Sequence, residues 1–315
     1  MWWQREKPPL CLRMLSPVYQ NISQYEQKKR LGRVVAAKLP VISVGNITVG
    51  GSGKTPFVVW LALKLKQQGW QPVVVCRGDG GTSERVQRVT ADSRACDVGD
   101  EAVLLYRLTV CAVLSAKNRV HAAEMAANLG DVMILDDGFQ YRQLQRTCDI
   151  VLIPDEGVGN GCLLPAGPLR EPVQALERAD VLVRSGSALC AALSEAKEWR
   201  WHANRYALND WMAAQKPQPQ RVLAVTAIAR PHRFVDALQS LGLDVCNSCY
   251  FPDHYAFTAT DVQRFLALGV PVVVTAKDAV KLKDLWEQGT PLWVLEQESE
   301  GEEGLFAAIA AYMPK

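Results

Sequence analysis

Short apolar, β-branched runs alternate with longer stretches of helical periodicity along most of this chain, the pattern of an α/β protein. The clearest run is Val41-Ile42-Ser43-Val44, which reads as a buried strand. Further strands are predicted at 72–76, 110–114, 132–135, 149–153 and 181–183, the last closing this sheet. Helices are predicted from Lys54 onward through Val58, Val59, Leu61, Ala62 and Leu65, and from Ala122 to Leu129. Helix-length segments between successive strands imply parallel, doubly wound order. A polar, proline-bearing stretch at 213–221 reads as a linker. Beyond it a smaller α/β unit follows, with strands at 222–227, 270–275 and 292–295 and helices at 232–241 and 260–268. The expected organisation is therefore a helical segment at 1–38, a main unit at 39–212, the linker, and a second unit at 222–315.

The first 38 residues carry Trp2 and Trp3, then Ser16-Pro17, read as an N-cap and first helical residue. Val18, Tyr19, Ile22 and Tyr25 follow on one predicted face, and Lys28, Lys29, Arg30, Arg33 and Lys38 come after them. Such an amphipathic helix suits an anionic membrane surface, and it equally suits packing on its own domain.

Composition changes this picture little. A hydrophobic share of 49% and a charged share of 22% are ordinary for a folded α/β chain of 315 residues. A net charge of +2 gives no footprint for nucleic acid, and no nucleic-acid partner is expected. The nine cysteines are scattered, as reduced thiols in a cytoplasmic protein would be. Cys246 and Cys249 have CxxC spacing without the second pair a zinc site needs. The chain has no run of about 20 apolar residues and no signal-peptide layout at its start.

Candidate chemistry begins just after the first strand. Gly50-Gly51-Ser52-Gly53 is followed by Lys54-Thr55 at the start of a helical run. Strand, glycine loop and helix N-terminus together form an anion cradle of inward-pointing N–H groups. In such a phosphate-binding loop the lysine reaches the β- and γ-phosphates and the threonine hydroxyl ligates Mg²⁺. The strict pattern has glycine where this chain has Thr48, and Val49 stands where dimerising ATPases carry a second lysine. The predicted strand at 132–135 ends in Asp136-Asp137-Gly138, the way a nucleotide enzyme presents a Mg²⁺-associated acid. A proline- and glycine-rich loop holds Arg170, well suited to phosphate. His254, beside Asp253, is a candidate proton acceptor. Asp100 begins a helical run, which fits catalysis or an ordinary acidic helix start.

The order of motifs is PVISVGNITVGGSGKTP, CRGDGG, GDEA, SAKNR, ILDDGFQY, LLPAGPLREP, FPDHY and TAKDAVKL. On these the chain resembles the tetraacyldisaccharide 4'-kinase family, from about residue 10 to residue 285. The resemblance implies ATP and Mg²⁺, and γ-phosphoryl transfer to the 4'-hydroxyl of a tetraacyldisaccharide 1-phosphate, the lipid A precursor. It implies a peripheral position on the cytoplasmic face of the bacterial inner membrane, with the N-terminal helix as contact. By matching position, Lys54 and Thr55 hold phosphates and metal, with Asp136 and Asp137 near the metal. Asp100 and His254 form the dyad that activates the sugar hydroxyl, and Arg119 and Arg170 contact phosphates of ATP or substrate. Thr48 is no departure here, since that family also lacks the first glycine.

Four positions depart from the usual motifs of that family: Asp79 replaces an aromatic, Ala102 a proline, Tyr141 a histidine and Ala276 a glutamate. They bear on nucleotide affinity and rate rather than on reaction type. Two other readings stay in view: a nucleotide-hydrolysing switch, and a catalytically silent homologue that binds lipid or protein. The switch lacks support from a guanine-reading NKxD, since Ala276-Lys277-Asp278 is not one.

Overall fold

The computed structural model describes residues 8–82, 84–185, 198–214 and 216–314. Trp2 and Trp3 lie outside them. Helix α1 (Leu10–Leu31) precedes strand β1 (Val41–Gly45) and helix α2 (Lys54–Gln67). Then come β2 (Pro72–Cys76), β3 (Gln87–Arg88), α3 (Ala95–Val98), α4 (Asp100–Thr109), β4 (Ala112–Ser115) and α5 (Arg119–Ala126). Strands β5 (Val132–Asp136), β6 (Cys148–Ile153), β7 (Val181–Ser185), β8 (Glu198–Asp210) and β9 (Arg221–Thr226) follow. The last third holds α6 (Pro231–Ser240), β10 (Asp244–Tyr250), α7 (Ala259–Leu266), β11 (Val272–Thr275), α8 (Ala276–Leu282), β12 (Trp293–Gly301) and α9 (Leu305–Ala310).

Among the described residues the strands form one sheet in the order β10-β9-β11-β12-β8-β7-β6-β1-β5-β2-β4-β3. Its neighbours run parallel except at β12–β8 and β3–β4. The expectation that the strand at 181–183 closes the first sheet is corrected here. β7 pairs parallel with β8, and β8 pairs antiparallel with β12, so the sheet continues into the C-terminal third.

Helices cover both faces, as parallel strands require. Phe57, Val58, Leu61, Ala62 and Leu65 of α2 pack with Ala102 and Leu105 of α4 and Ile309 of α9 on one face. Ala122, Ala123 and Ala126 of α5 pack with Val73, Val75, Met133 and Leu135 on the other. β1 sits centrally between β5 and β6, with all five residues buried.

Two local expectations differ from the structure. Helix α1 starts at Leu10 rather than at Pro17, which lies inside it. As the eighth helical residue, Pro17 has no N–H to donate to the carbonyl four residues back. Val110 is not strand: it caps α4 at φ 51 with its side chain in solvent, and β4 begins at Ala112.

Candidate active site

The phosphate loop emerges from the C-terminal end of β1, and the register of β1 on β5 sets Val44 opposite Asp136. The predicted loop and acid are therefore neighbours at the carboxyl ends of two central strands, where open α/β sheets bind ligands. Gly53 caps α2 at φ 78, a left-handed conformation that favours glycine, so the chain turns directly into Lys54.

Lys54 Nζ lies 3.1 Å from Asn46 Oδ1 and 3.3 Å from Asp137 Oδ1. Arg170 Nη1 contacts both oxygens of the same carboxylate, at 3.1 and 2.9 Å. Burial pushes the Asp137 carboxyl up, but Lys54 and Arg170 outweigh it and hold the group at about 2. Asp136 is the opposite case. Burial first, then Glu101, pushes it up to about 7 against the pull of Lys54. Its Oδ1 is buried without a hydrogen-bond partner, as is the Ser52 hydroxyl. Adjacent acids of one strand end thus carry opposite electrostatic settings.

Arg170 owes its position to backbone stitching between two loops. Val49 N–H donates to Pro168 O at 2.8 Å, and Arg170 N–H donates to Ile47 O at 2.7 Å. Thr48 is buried at that seam, its carbonyl accepting from Asn46 Nδ2 at 2.8 Å. Asn46 therefore orients both the loop and Lys54, so Thr48 serves the seam.

The second cluster forms where α4 packs against α8. Asp100 opens α4 behind Gly99, whose φ is +93. A Cβ on Gly99 would come within 2.8 Å of Asp79 O and 2.9 Å of Gly78 C, so glycine alone fits. Asp100 Oδ2 lies 3.1 Å from His254 Nδ1, and His254 Nε2 lies 3.2 Å from Lys277 Nζ. A carboxylate only accepts and an ammonium only donates, so the neutral ring carries its proton on Nδ1. Burial raises the Asp100 carboxyl, but the His254 hydrogen bond and Lys277 outweigh it and leave it below its ordinary value. The hydrogen bond to Asp100 raises His254 above its ordinary value, against partial burial and Lys277. His254 itself sits at φ 60, a strained backbone for a non-glycine residue.

Arg119 opens α5 and is buried, its guanidinium 4.9 Å from the centre of the Tyr141 ring. Tyr141 thus faces a cation where a histidine would compete with it for positive charge. Among the other departures, Asp79 pairs with Arg77 at 3.2 Å, both well exposed. Ala102 is a buried core residue of α4.

A cavity of about 810 Å³ runs between the phosphate loop and the contact of α4 with α8. Ser52, Thr55 and Trp60 line it from the phosphate-loop side, and Glu101, Ala276 and Lys277 from the α4–α8 side. Several residues here escape sequence reasoning. Lys277 and Glu101 pair at 3.4 Å across 176 positions. Arg230 pairs with Glu156 at 2.6 Å and comes within 3.7 Å of where a Gly50 Cβ would stand. Charged residues on helix starts carry no local signal of such meetings; only Asn46, directly between strand and loop, stands close enough to Lys54 in sequence to be found.

The profile of the family described as Tetraacyldisaccharide-1-P 4'-kinase, LpxK, matches residues 9–313. The tetraacyldisaccharide 4'-kinase of Halorhodospira halophila is 38% identical over 284 residues, 89% of this chain and 84% of that one. That of Methylibium petroleiphilum is 36% identical over 333 residues, 98% of this chain and 90% of its own. The crystal structure of the "apo" form of LpxK from Aquifex aeolicus in complex with ATP superposes with a TM-score of 0.75 at 27% identity, covering 95% of this chain and 98% of that one. With a strand–loop–helix phosphate cradle and a match over nearly its whole length, the chain belongs to the tetraacyldisaccharide 4'-kinase family.

Proposed function

We infer that this chain is a tetraacyldisaccharide 4'-kinase, transferring the γ-phosphoryl group of ATP to the 4'-hydroxyl of tetraacyldisaccharide 1-phosphate. The observation that carries the mechanism is the Asp100–His254 pair at 3.1 Å, beside a cavity bordered by the phosphate loop. In this reading Gly50, Gly51, Ser52 and Gly53 offer backbone N–H groups to the phosphates, and Lys54 neutralises charge on the transferred group. His254 Nε2 takes the proton of the sugar hydroxyl as its oxygen bonds to the γ-phosphorus and ADP departs with the bridging oxygen. Asp100 holds the Nδ1 proton and stabilises the imidazolium that forms. Arg170 and Arg119 are read as phosphate contacts, Arg170 by exchanging Asp137 for a phosphate oxygen.

The residues around Asp136 fit Mg²⁺: a buried carboxylate oxygen without a partner, a second carboxylate in Asp137, and the Thr55 hydroxyl on the cavity wall. Thr55, Asp136 and Asp137 would hold the ion, which would neutralise phosphate charge when bound.

We propose further that α1 meets the cytoplasmic face of the inner membrane. None of its residues is buried; Leu10, Met14, Val18, Ile22 and Tyr25 are exposed, and its last turn is basic. Its other side is tied down by Ser16 to Leu163 O at 2.9 Å and Tyr19 to Arg170 O at 3.1 Å. No described helix is long and apolar enough to cross a membrane. The division into units 39–212 and 222–315, joined through 213–221, is offered with β8 as the strand their sheets share.

The test is transfer of labelled γ-phosphate from ATP to tetraacyldisaccharide 1-phosphate in mixed micelles, with Lys54→Ala and a chelator as controls. Labelled lipid from wild type alone is expected. ATP loss without lipid product would overturn the acceptor assignment.

A further inference from the structure

The first turn of a helix is an unfavourable place for a cation, because the dipole there is positive. Lys277 nonetheless stands at the second residue of α8, with its side chain largely buried. Its ammonium lies 3.4 Å from Glu101 Oε1, 3.6 Å from Asp253 Oδ1 and 3.2 Å from His254 Nε2. Two carboxylates therefore anchor the charge, and the only imidazole atom left for chemistry accepts from it. We propose that Lys277 is a positioning residue for the base: it donates to His254 Nε2, fixes the ring with its proton on Nδ1, and gives way at Nε2 to the sugar hydroxyl.

This rests on the reading of His254 as the base. The contact exists only with a neutral ring, since an N–H at Nε2 would point at an ammonium. Asp100 and Asp253 face His254 from α4 and its own loop, and each favours the imidazolium. Lys277 opposes them. When the hydroxyl arrives, Lys277 keeps its proton and its carboxylate anchors, and only the Nε2 hydrogen bond changes hands. Its ammonium then lies beside the attacking oxygen, where it favours the developing alkoxide.

The experiment is an NMR titration of the His254 ring in the full chain, assigned with His254→Gln, for wild type, Lys277→Met, Lys277→Gln and Lys277→Arg. The kcat/KM profile against pH is measured on the same four proteins. The proposal expects the His254 pKa to rise by about one unit in the Met and Gln variants and to stay in place in the Arg variant. The Gln variant keeps a donor for Glu101, so it preserves the packing if Met does not. An unchanged His254 pKa in a folded, ATP-binding Gln variant would overturn the proposal. The acid limb of kcat/KM is expected to move with the ring. If the ring's pKa moves and the limb does not, the hold of Lys277 on the ring stands and the reading of His254 as the base falls.

Discussion

His254 Nδ1 lies 3.1 Å from Asp100 Oδ2, although 154 positions separate the two residues in the chain. One comes from a helix start in the first half of the sheet, the other from the loop after β10. Their pairing sets the pH behaviour of the protein with opposite signs for activity and stability. His254 is raised from 6.5, so the neutral base accumulates only above that value and kcat/KM should climb through a pKa higher than 6.5. The stability it contributes is complete below its unfolded pKa and lost as pH rises through the folded one. Asp100 is lowered from 3.8, so its contribution is present above that value and lost as pH falls through the folded pKa. Denaturant unfolding of wild type and His254→Ala should therefore differ most at about pH 4–6.5 and converge above it. A difference that grew with pH would contradict the pairing.

Removing Lys54 takes away one of two cations on Asp137 as well as the phosphate contact. Lys54→Ala should lower phosphoryl transfer by about 10²-fold or more, the order seen when a preorganised transition-state contact is lost. The Asp137 carboxyl should rise from about 2 as that charge disappears. Circular dichroism should show an intact fold. Transfer at the wild-type rate would remove Lys54 from the mechanism.

Gly99→Ala is expected to be costly out of proportion to its size. It places a methyl group 2.8 Å from Asp79 O on a backbone at φ +93. The strain should lower stability by about 1–3 kcal/mol and shift Asp100 away from His254. A melting curve and kcat measured together would check this, and unchanged values for both would show that the turn relaxes freely.

Replacing Met14, Val18 and Ile22 by serine leaves the core untouched, since α1 contributes no buried residue. Co-sedimentation with anionic vesicles should fall, while turnover on a micellar substrate should hold. Retained sedimentation would locate the membrane contact elsewhere.

Tyr141→Phe should keep the ring beneath the Arg119 guanidinium, whereas Tyr141→Ala should remove a contact of about 1–2 kcal/mol. Chemical denaturation of the two variants separates ring stacking from the hydroxyl. Equal loss in both would assign the effect to the hydroxyl.

How much of this was legible beforehand depends on how local each feature is. Strand 72–76 stands in the structure with the bounds its apolar run implies, because a buried parallel strand is specified by its own side chains. Strand β8 escaped notice. Its residues mix tryptophans with arginines and a histidine, and it forms by pairing with β12 almost a hundred positions later (His202 opposite Glu300). Pro17 reads as a helix start because proline usually marks one, yet the seven residues before it belong to the same helix.

The sequence by itself determined the parallel strands around β1 and the phosphate cradle, because strand, glycine turn and helix start are contiguous and each needs only its neighbours. The resemblance of its motifs pointed to Asp100 and His254, but not to their surroundings. Only the tertiary structure decided that Asp137 is gripped by Lys54 and Arg170, that Asp136 is left with a bare buried oxygen, and that Lys277 closes the histidine from behind. Those are facts about charges brought from distant segments into partly buried surroundings. A charge acquires its strength from the partners and the burial it meets on folding, and neither is written beside it in the chain.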